Sequence, residues 1–261
     1  MQSVARKNMA NADSETFIRT FARGLQVIEA LGKRKPGLTI ANLSEETGLS
    51  RSVVKRFALT LTELGYTHSD GRTYTLTPKV LNLGLSYLYS LPFWRQAQLE
   101  LEELSQKIGQ SCAMSILDGN EIVYVVRVPT YRILRSSPTL GSRLPANLVS
   151  MGRVLLAESS EAMIDQFFDT APLHRMTGRT VTDPATLRAN LRKVREQGYA
   201  WVDRELDESI CGLAVTLKDM DGKALAAINV SLPAGQITEK EAVKKFLPHL
   251  RSTAATLRAS L

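Results

Sequence analysis

Apolar positions change period several times along the 261-residue chain, and those changes divide it into elements. Phe17, Phe21, Leu25 and Ile28 recur three or four residues apart, which predicts a helix from Phe17 to Leu31. The run Lys33-Arg34-Lys35-Pro36-Gly37 breaks it. From Thr39 to Pro78 the pattern predicts a short helix with Ile40 and Leu43 inward, a tight turn at Gly48, a second helix, and a β-hairpin over Tyr66–Thr77. Two helices joined by a short Gly-containing turn form a helix-turn-helix, and the first helix braces them into a three-helix core. In the hairpin, Tyr74 and Leu76 alternate with threonines. Asp70-Gly71 predicts a turn with both central residues at positive φ, which puts Arg72 at the tip. A hairpin directly after the second helix makes the motif winged.

Pro78 opens the next helix, Lys79–Ser90, which is apolar nearly all round through Val80, Leu81, Leu83, Leu85, Tyr87 and Leu88. A helix this short between two domains cannot bury all of those residues against one neighbour, so it is expected to pack against a second chain. Beyond Leu91-Pro92 helical and strand periods mix. Helices are predicted at Phe93–Ile108, Leu148–Ala157, Glu161–Phe168, Pro184–Gln197 and Thr238–Leu261, the last with a kink at Pro248. Strands are predicted at Ser111–Leu117, Ile122–Val128, Tyr131–Ser137, Tyr199–Arg204, Ile210–Asp219 and Lys223–Val230. The fold class is α+β: an antiparallel sheet covered by helices behind the winged motif. The domain boundaries read as a flexible tail over 1–15, a winged helix-turn-helix domain over 16–78, a linker helix over 79–91, and a second domain over 92–261.

The second helix carries the candidate chemistry of the first domain. Ser50 is a suitable N-cap. With Arg51 at zero, Lys55, Ser52 and Arg56 fall at roughly 40°, 100° and 140°, while Val53, Phe57, Leu61 and Leu64 fall at roughly 200–280°. One face is therefore cationic and the other apolar. Ser50, Arg51, Ser52, Lys55, Arg56 and wing residue Arg72 are the candidate contacts to double-stranded DNA. A solvated basic face on an ordinary helix is the bland alternative; the turn before it and the hairpin after it favour DNA.

Charge changes the picture further. The net charge is +7, and the first 90 residues carry 12 Lys and Arg against 7 Asp and Glu, whereas the other 171 carry 21 against 19. The surplus sits on the helix-turn-helix and points to a polyanionic partner. No run of about 18 apolar residues and no apolar leader core is visible, so the reading is cytoplasmic with no membrane partner. Two cysteines without CxxC and three histidines without ligand spacing support neither a disulfide framework nor a metal site, and no cofactor is expected.

In the second domain Arg143, in Gly141-Ser142-Arg143-Leu144-Pro145-Ala146, could clamp a carboxylate bidentately or simply hold its loop; Arg127 and Arg135 are weaker versions of the same idea. Cys211 and Cys112 have no basic neighbour in sequence and read as small buried hydrophobes. Asp203 and Glu205, with Asp207 and Glu208, read as an acidic loop with one member reaching a pocket. Two other functions stay open on the residues alone: an enzyme carrying a helix-turn-helix module, and an oligomeric scaffold whose first domain meets protein.

The chain resembles the IclR family of bacterial transcription regulators, over about Phe17 to Leu257. The resemblance rests on F-A-R-G-L-Q-V-I-E-A-L-G at 21–32, T-G-L-S-R-S-V-V-K-R-F at 47–57, L-G-Y-T-H-S-D-G-R-T-Y-T-L-T-P-K-V-L-N-L-G at 64–84, G-S-R-L-P-A at 141–146, S-M-G-R-V-L-L-A at 150–157 and A-A-I-N-V-S at 226–231. Within the family it looks most like the regulators of aromatic-acid breakdown through the β-ketoadipate pathway. The resemblance implies a winged helix-turn-helix, a GAF-like effector domain, homodimers or dimers of dimers on palindromic operators, and a small organic acid as effector. Ser150, Met151 and Gly152 match the family's pocket segment, where free helix N–H groups suit a carboxylate. Asp203, Ile210, Cys211 and Gly212 match the opposite wall, and Asn229 and Ser231 match the final strand. Asn147-Leu148-Val149 and Thr216 depart from the pattern common among relatives.

Overall fold

A computed structural model describes residues 16–33, 37–130 and 138–261. The chain divides between Tyr87 and Leu88 into two compact units.

The first unit contains α1 (Arg19–Gly32), α2 (Ile40–Thr47), α3 (Arg51–Glu63), β1 (Thr67–Ser69) and β2 (Tyr74–Leu76). Thr39 begins α2 with a capping box: its hydroxyl accepts from the Asn42 backbone N–H, and the Asn42 side chain accepts from the Thr39 N–H. Gly48 ends α2 at φ 69°, a left-handed conformation that favours glycine and turns the chain sharply into α3. Val27, Ala30, Leu31, Leu43, Val54, Ala58, Leu61 and Tyr74 form the core.

Three expectations change here. On α1 the buried residues are Val27, Ala30 and Leu31, while Phe17, Phe21 and Leu25 are exposed. Of the predicted stripe only Ile28 packs half-buried against the core, while Phe17, Phe21 and Leu25 form an outward apolar face. On α3 the core side centres on Val54, Ala58 and Leu61, with Val53 and Phe57 half-buried and Leu64 exposed. At the hairpin tip Ser69 pairs with Tyr74, so the loop has four residues. Only Gly71 there has positive φ. The Asp70 carboxylate instead accepts from the backbone N–H groups of Arg72 (2.8 Å) and Thr73 (2.7 Å). Those bonds hold its pKa down at about 2.

A 3₁₀ turn (Pro78–Val80) leads into α4 (Leu81–Ser90), which crosses the division between the units. Leu81, Leu83, Tyr87 and Tyr89 are exposed on it, and Leu88 is buried.

The second unit contains α5 (Trp94–Ile108), β3 (Ser111–Asp118), β4 (Glu121–Val128), β5 (Arg143–Pro145), α6 (Ser150–Glu158), α7 (Glu161–Thr170), α8 (Pro184–Gln197), β6 (Ala200–Asp203), β7 (Ile210–Lys218), β8 (Ala224–Pro233) and α9 (Glu239–Ala259). The strands form one antiparallel sheet in the order β5-β4-β3-β8-β7-β6. α5 packs on β3 and β4, and α9 on β7, β8 and α5, while α6 packs on β7, β8, β3 and β6 with α8 behind it. β5 has no counterpart among the predicted strands, because three residues are too few for a period to register. On α5 Leu99 is exposed, and Ala97, Leu101 and Leu104 carry the packing. Pro248 lies inside α9. The predicted strand Tyr131–Ser137 falls outside the described residues.

Candidate functional site

The cationic face of α3 is available. Arg51, Ser52, Lys55 and Arg56 are all exposed, on the side away from Val54, Ala58 and Leu61. Ser50 occupies the N-cap position but makes no capping bond; its hydroxyl meets that of Ser52 at 3.1 Å. The first-turn N–H groups of α3 therefore have no side-chain cap, beside two arginines and a lysine on one exposed surface. Arg72 is exposed at the wing. The six residues singled out for DNA thus share α3 and the wing of a single unit.

In the second unit, a cavity lies between the sheet and the start of α6, with about 50 Å³ open to the centre of a water molecule. That is several times what one water needs. Strand register sets which side chains meet there. Arg127 pairs with Ala113, Ala113 with Asn229, Asn229 with Ala214, and Ala214 with Ala200, so these five form one row across the sheet and face the same way. Of the five, Arg127 and Asn229 line the cavity, while the three alanines are fully buried in the core. One row on, Ser231 pairs with Gly212. A Cβ on Gly212 would sit 2.9 Å from the Ser150 Oγ, so glycine lets the first residue of α6 press onto β7. Val149 precedes α6 in extended conformation without a side-chain cap, leaving the first-turn N–H groups open beside Ser150 and Met151.

Of the predicted effector residues, Ser150, Met151, Ile210, Cys211, Gly212, Asn229 and Ser231 line the cavity. Gly152 does not line it: a Cβ there would meet the Ala146 carbonyl oxygen at 2.1 Å, so this glycine permits helix and turn to touch. Arg143 lies outside the cavity, holding Asp118 at 2.6 Å and Glu121 at 2.8 Å on the partly exposed edge of the sheet. Asp203 also lies outside it, paired with Arg204 (2.9 Å) and Arg179 (2.8 Å). The acidic-loop residue at the cavity is Glu205, which is buried. Burial pushes the Cys211 thiol up to about 11 and Cys112 up to about 12, so neither is a thiolate at neutral pH. Among the described residues no cluster of His, Cys, Asp and Glu could hold a metal ion.

Arg127, weakly ranked on sequence, is the guanidinium at the cavity. Strict alternation places it on the face opposite Tyr124. A bulge at Val125 shifts the register, so Tyr124 pairs with Ser115 and Arg127 with Ala113, and both face the cavity. The Arg127 guanidinium lies 5.9 Å from the Tyr124 ring centre. Its buried Nε has no hydrogen-bond partner. A buried donor with nothing to bond carries a desolvation penalty that an incoming acceptor removes.

The cavity wall is tied together by another pair that sequence gave no reason to join. Arg153 on α6 and Glu205 are both buried, with Nη2 2.6 Å from Oε2. Arg153 Nε donates to the Asn147 carbonyl at 2.9 Å, and the Val181 N–H donates to Glu205 at 3.0 Å. Arg204, at φ 59°, makes the left-handed step that turns Glu205 inward.

Known proteins have this architecture. Residues 85–259 match the family described as bacterial transcriptional regulator IclR C-terminal, and residues 20–71 match the IclR helix-turn-helix domain. The Pca regulon regulatory protein of Pseudomonas putida is 40% identical over 256 residues, covering 98% of this chain and 88% of that one. The p-hydroxybenzoate hydroxylase transcriptional activator of Acinetobacter baylyi is 32% identical, covering 94% and 92%. The crystal structure of an IclR homologue from Microbacterium hydrocarbonoxydans in complex with 4-hydroxybenzoate superposes with a TM-score of 0.81 at 22% identity, covering 93% and 98%. Among the described residues no helix is long and apolar enough to cross a membrane. A helix-turn-helix with an exposed cationic helix, followed by a helix-covered antiparallel sheet with a cavity at a helix start, and matched end to end by named regulators, places this chain in the IclR family of bacterial transcriptional regulators.

Proposed function

We propose that this regulator is a cytoplasmic homodimer whose action on a palindromic operator is controlled by a small organic acid, with aromatic acids the first class to test, bound in the cavity of the second unit. The observation that carries the effector reading is the buried, unpartnered Nε of Arg127 at that cavity. A carboxylate is the acceptor that answers it best, because a charge-assisted bond is about twice as strong as a neutral one. The uncapped start of α6 favours the same charge. The names of the relatives agree: one activates p-hydroxybenzoate hydroxylase transcription and a solved homologue holds 4-hydroxybenzoate. Of the proposed effector contacts, Ser150, Met151, Ile210, Cys211, Gly212, Asn229 and Ser231 keep that role with Arg127; Arg143, Gly152 and Asp203 act at a distance, holding the frame.

The dimer rests on two outward apolar faces, Phe17, Ile18, Phe21 and Leu25 in the first unit and Leu81, Leu83, Tyr87 and Tyr89 on α4. Apolar surface of that extent is covered in a stable protein. Light scattering should give at least twice the 28.8 kDa chain mass. An acid at 100 times its dissociation constant should stabilise the protein by about 2.7 kcal/mol, which a thermal-shift screen reads directly. The same acid should leave Arg127→Met unmoved. Equal shifts in both proteins would end the effector reading.

A further inference from the structure

Of the residues on the cationic face of α3, Leu59 is the apolar one. With Arg51 at zero it falls at roughly 80°, between Lys55 and Ser52 and near the midline of the candidate DNA contacts on this helix. The core-facing residues Val54, Ala58 and Leu61 fall roughly 100° or more away. Leu59 is accordingly 50% exposed and takes no part in the core of the first unit. It lies one turn from both Lys55 and Arg56, at the spacings that make helix side chains neighbours. Arg51 to Leu59 spans about 12 Å of helix axis, no more than the width of the major groove, so a helix seated by its first turns keeps Leu59 inside the groove. Glu63, a turn further on, is exposed and carries the wrong sign for phosphate, which makes Leu59 the last residue of the contacting stretch.

A single exposed leucine on most helices needs no explanation. Position changes that here. On a surface pressed against DNA, a leucine among lysine and arginine is shut off from water, and what it meets decides whether its burial helps. Base-pair edges in the major groove offer hydrogen-bond donors and acceptors and one apolar substituent, the 5-methyl of thymine. Facing a donor or an acceptor, leucine would strand a polar group; facing the methyl, both apolar groups gain by leaving water. Resting on the operator reading above, we infer that Leu59 is a specificity-determining residue that reads a thymine methyl in each half-site of the operator. The basic residues and the wing hold the duplex, and Leu59 selects thymine at one position over the bases that lack the methyl.

The test uses the full-length protein and a palindromic duplex that it enriches from a random pool, with binding read by fluorescence anisotropy. Each thymine of a half-site is replaced in turn by deoxyuridine, which removes the methyl and keeps every hydrogen-bonding group. At one position the replacement should weaken binding about fourfold in one half-site and about fifteenfold in both, the worth of one buried methyl at each. Leu59→Ala, at an exposed site on a helix that alanine favours, should bind the thymine and deoxyuridine duplexes equally and keep the wild-type salt dependence, because no charge changes. Lys55→Ala should weaken both duplexes together and leave their ratio as it was. Half-sites enriched without thymine, deoxyuridine tolerated at every position, or a methyl preference unaltered in Leu59→Ala would overturn the inference and leave the operator reading standing. Failure to enrich any duplex would overturn both.

Discussion

Replacing Arg153 by Met isolates what the buried ion pair contributes to the second unit. The two side chains are 5% and 8% exposed and 2.6 Å apart. Methionine keeps most of the volume but strands the Glu205 carboxylate with the Val181 N–H, and it removes the donor to the Asn147 carbonyl. Breaking a buried pair from one side costs about 3–5 kcal/mol, because the remaining charge keeps its desolvation penalty. For a unit of this size that corresponds to a fall in Tm of roughly 6–20 °C. Urea unfolding followed by circular dichroism, with a linear extrapolation, measures it. The double variant Arg153→Met/Glu205→Met removes both charges and should recover most of the loss, since well-packed apolar replacements of buried pairs are often neutral. Two results would refute the reasoning: a loss under about 1 kcal/mol for the single variant, which would mean that water reaches Glu205, or a double variant less stable than the single one.

Three further outcomes follow from other parts of the chain. Lys55→Ala and Arg56→Ala should each weaken operator binding and flatten its salt dependence by about one unit of slope, as read by fluorescence anisotropy across salt concentrations; unchanged binding in both would displace α3 as the contact helix. Gly152→Ala should destabilise the second unit by about 1–3 kcal/mol, because its Cβ meets the Ala146 backbone rather than a movable side chain; the same urea titration measures the loss. Asp70 should titrate near 2 by NMR, below the ordinary aspartate value of about 3.9. Its folded value is depressed, so its hold on the wing is complete above the unfolded value and is lost as pH falls towards 2, seen as shifts of the Arg72 and Thr73 amides.

Element types were largely legible, because Pro184–Gln197, the hairpin and the HTH helices each show a strong local period or a turn signal. The helix faces were less so. Phe21 and Leu25 have the spacing of a core stripe, yet the core takes Val27, Ala30 and Leu31. A period states that a face exists without stating which neighbour covers it. The candidate site shows the same division. Asn229, Ser231 and Ser150 were reachable through motifs, whereas Arg143 looked the better arginine until its partners Asp118 and Glu121 came into view from 25 and 22 residues away.

The sequence by itself determined the two-part plan, the cationic helix and the presence of a sheet-and-helix second unit, since all of these are written in spacings of a few residues. Only the tertiary structure decided which charges are spent and which are free. Arg143 is neutralised by an edge pair and Arg153 by Glu205, 52 residues away, while the bulge at Val125 turns Arg127 to the cavity with its Nε unpartnered. Whether a buried charge is available depends on what surrounds it in space, and strand register, not proximity along the chain, sets those surroundings.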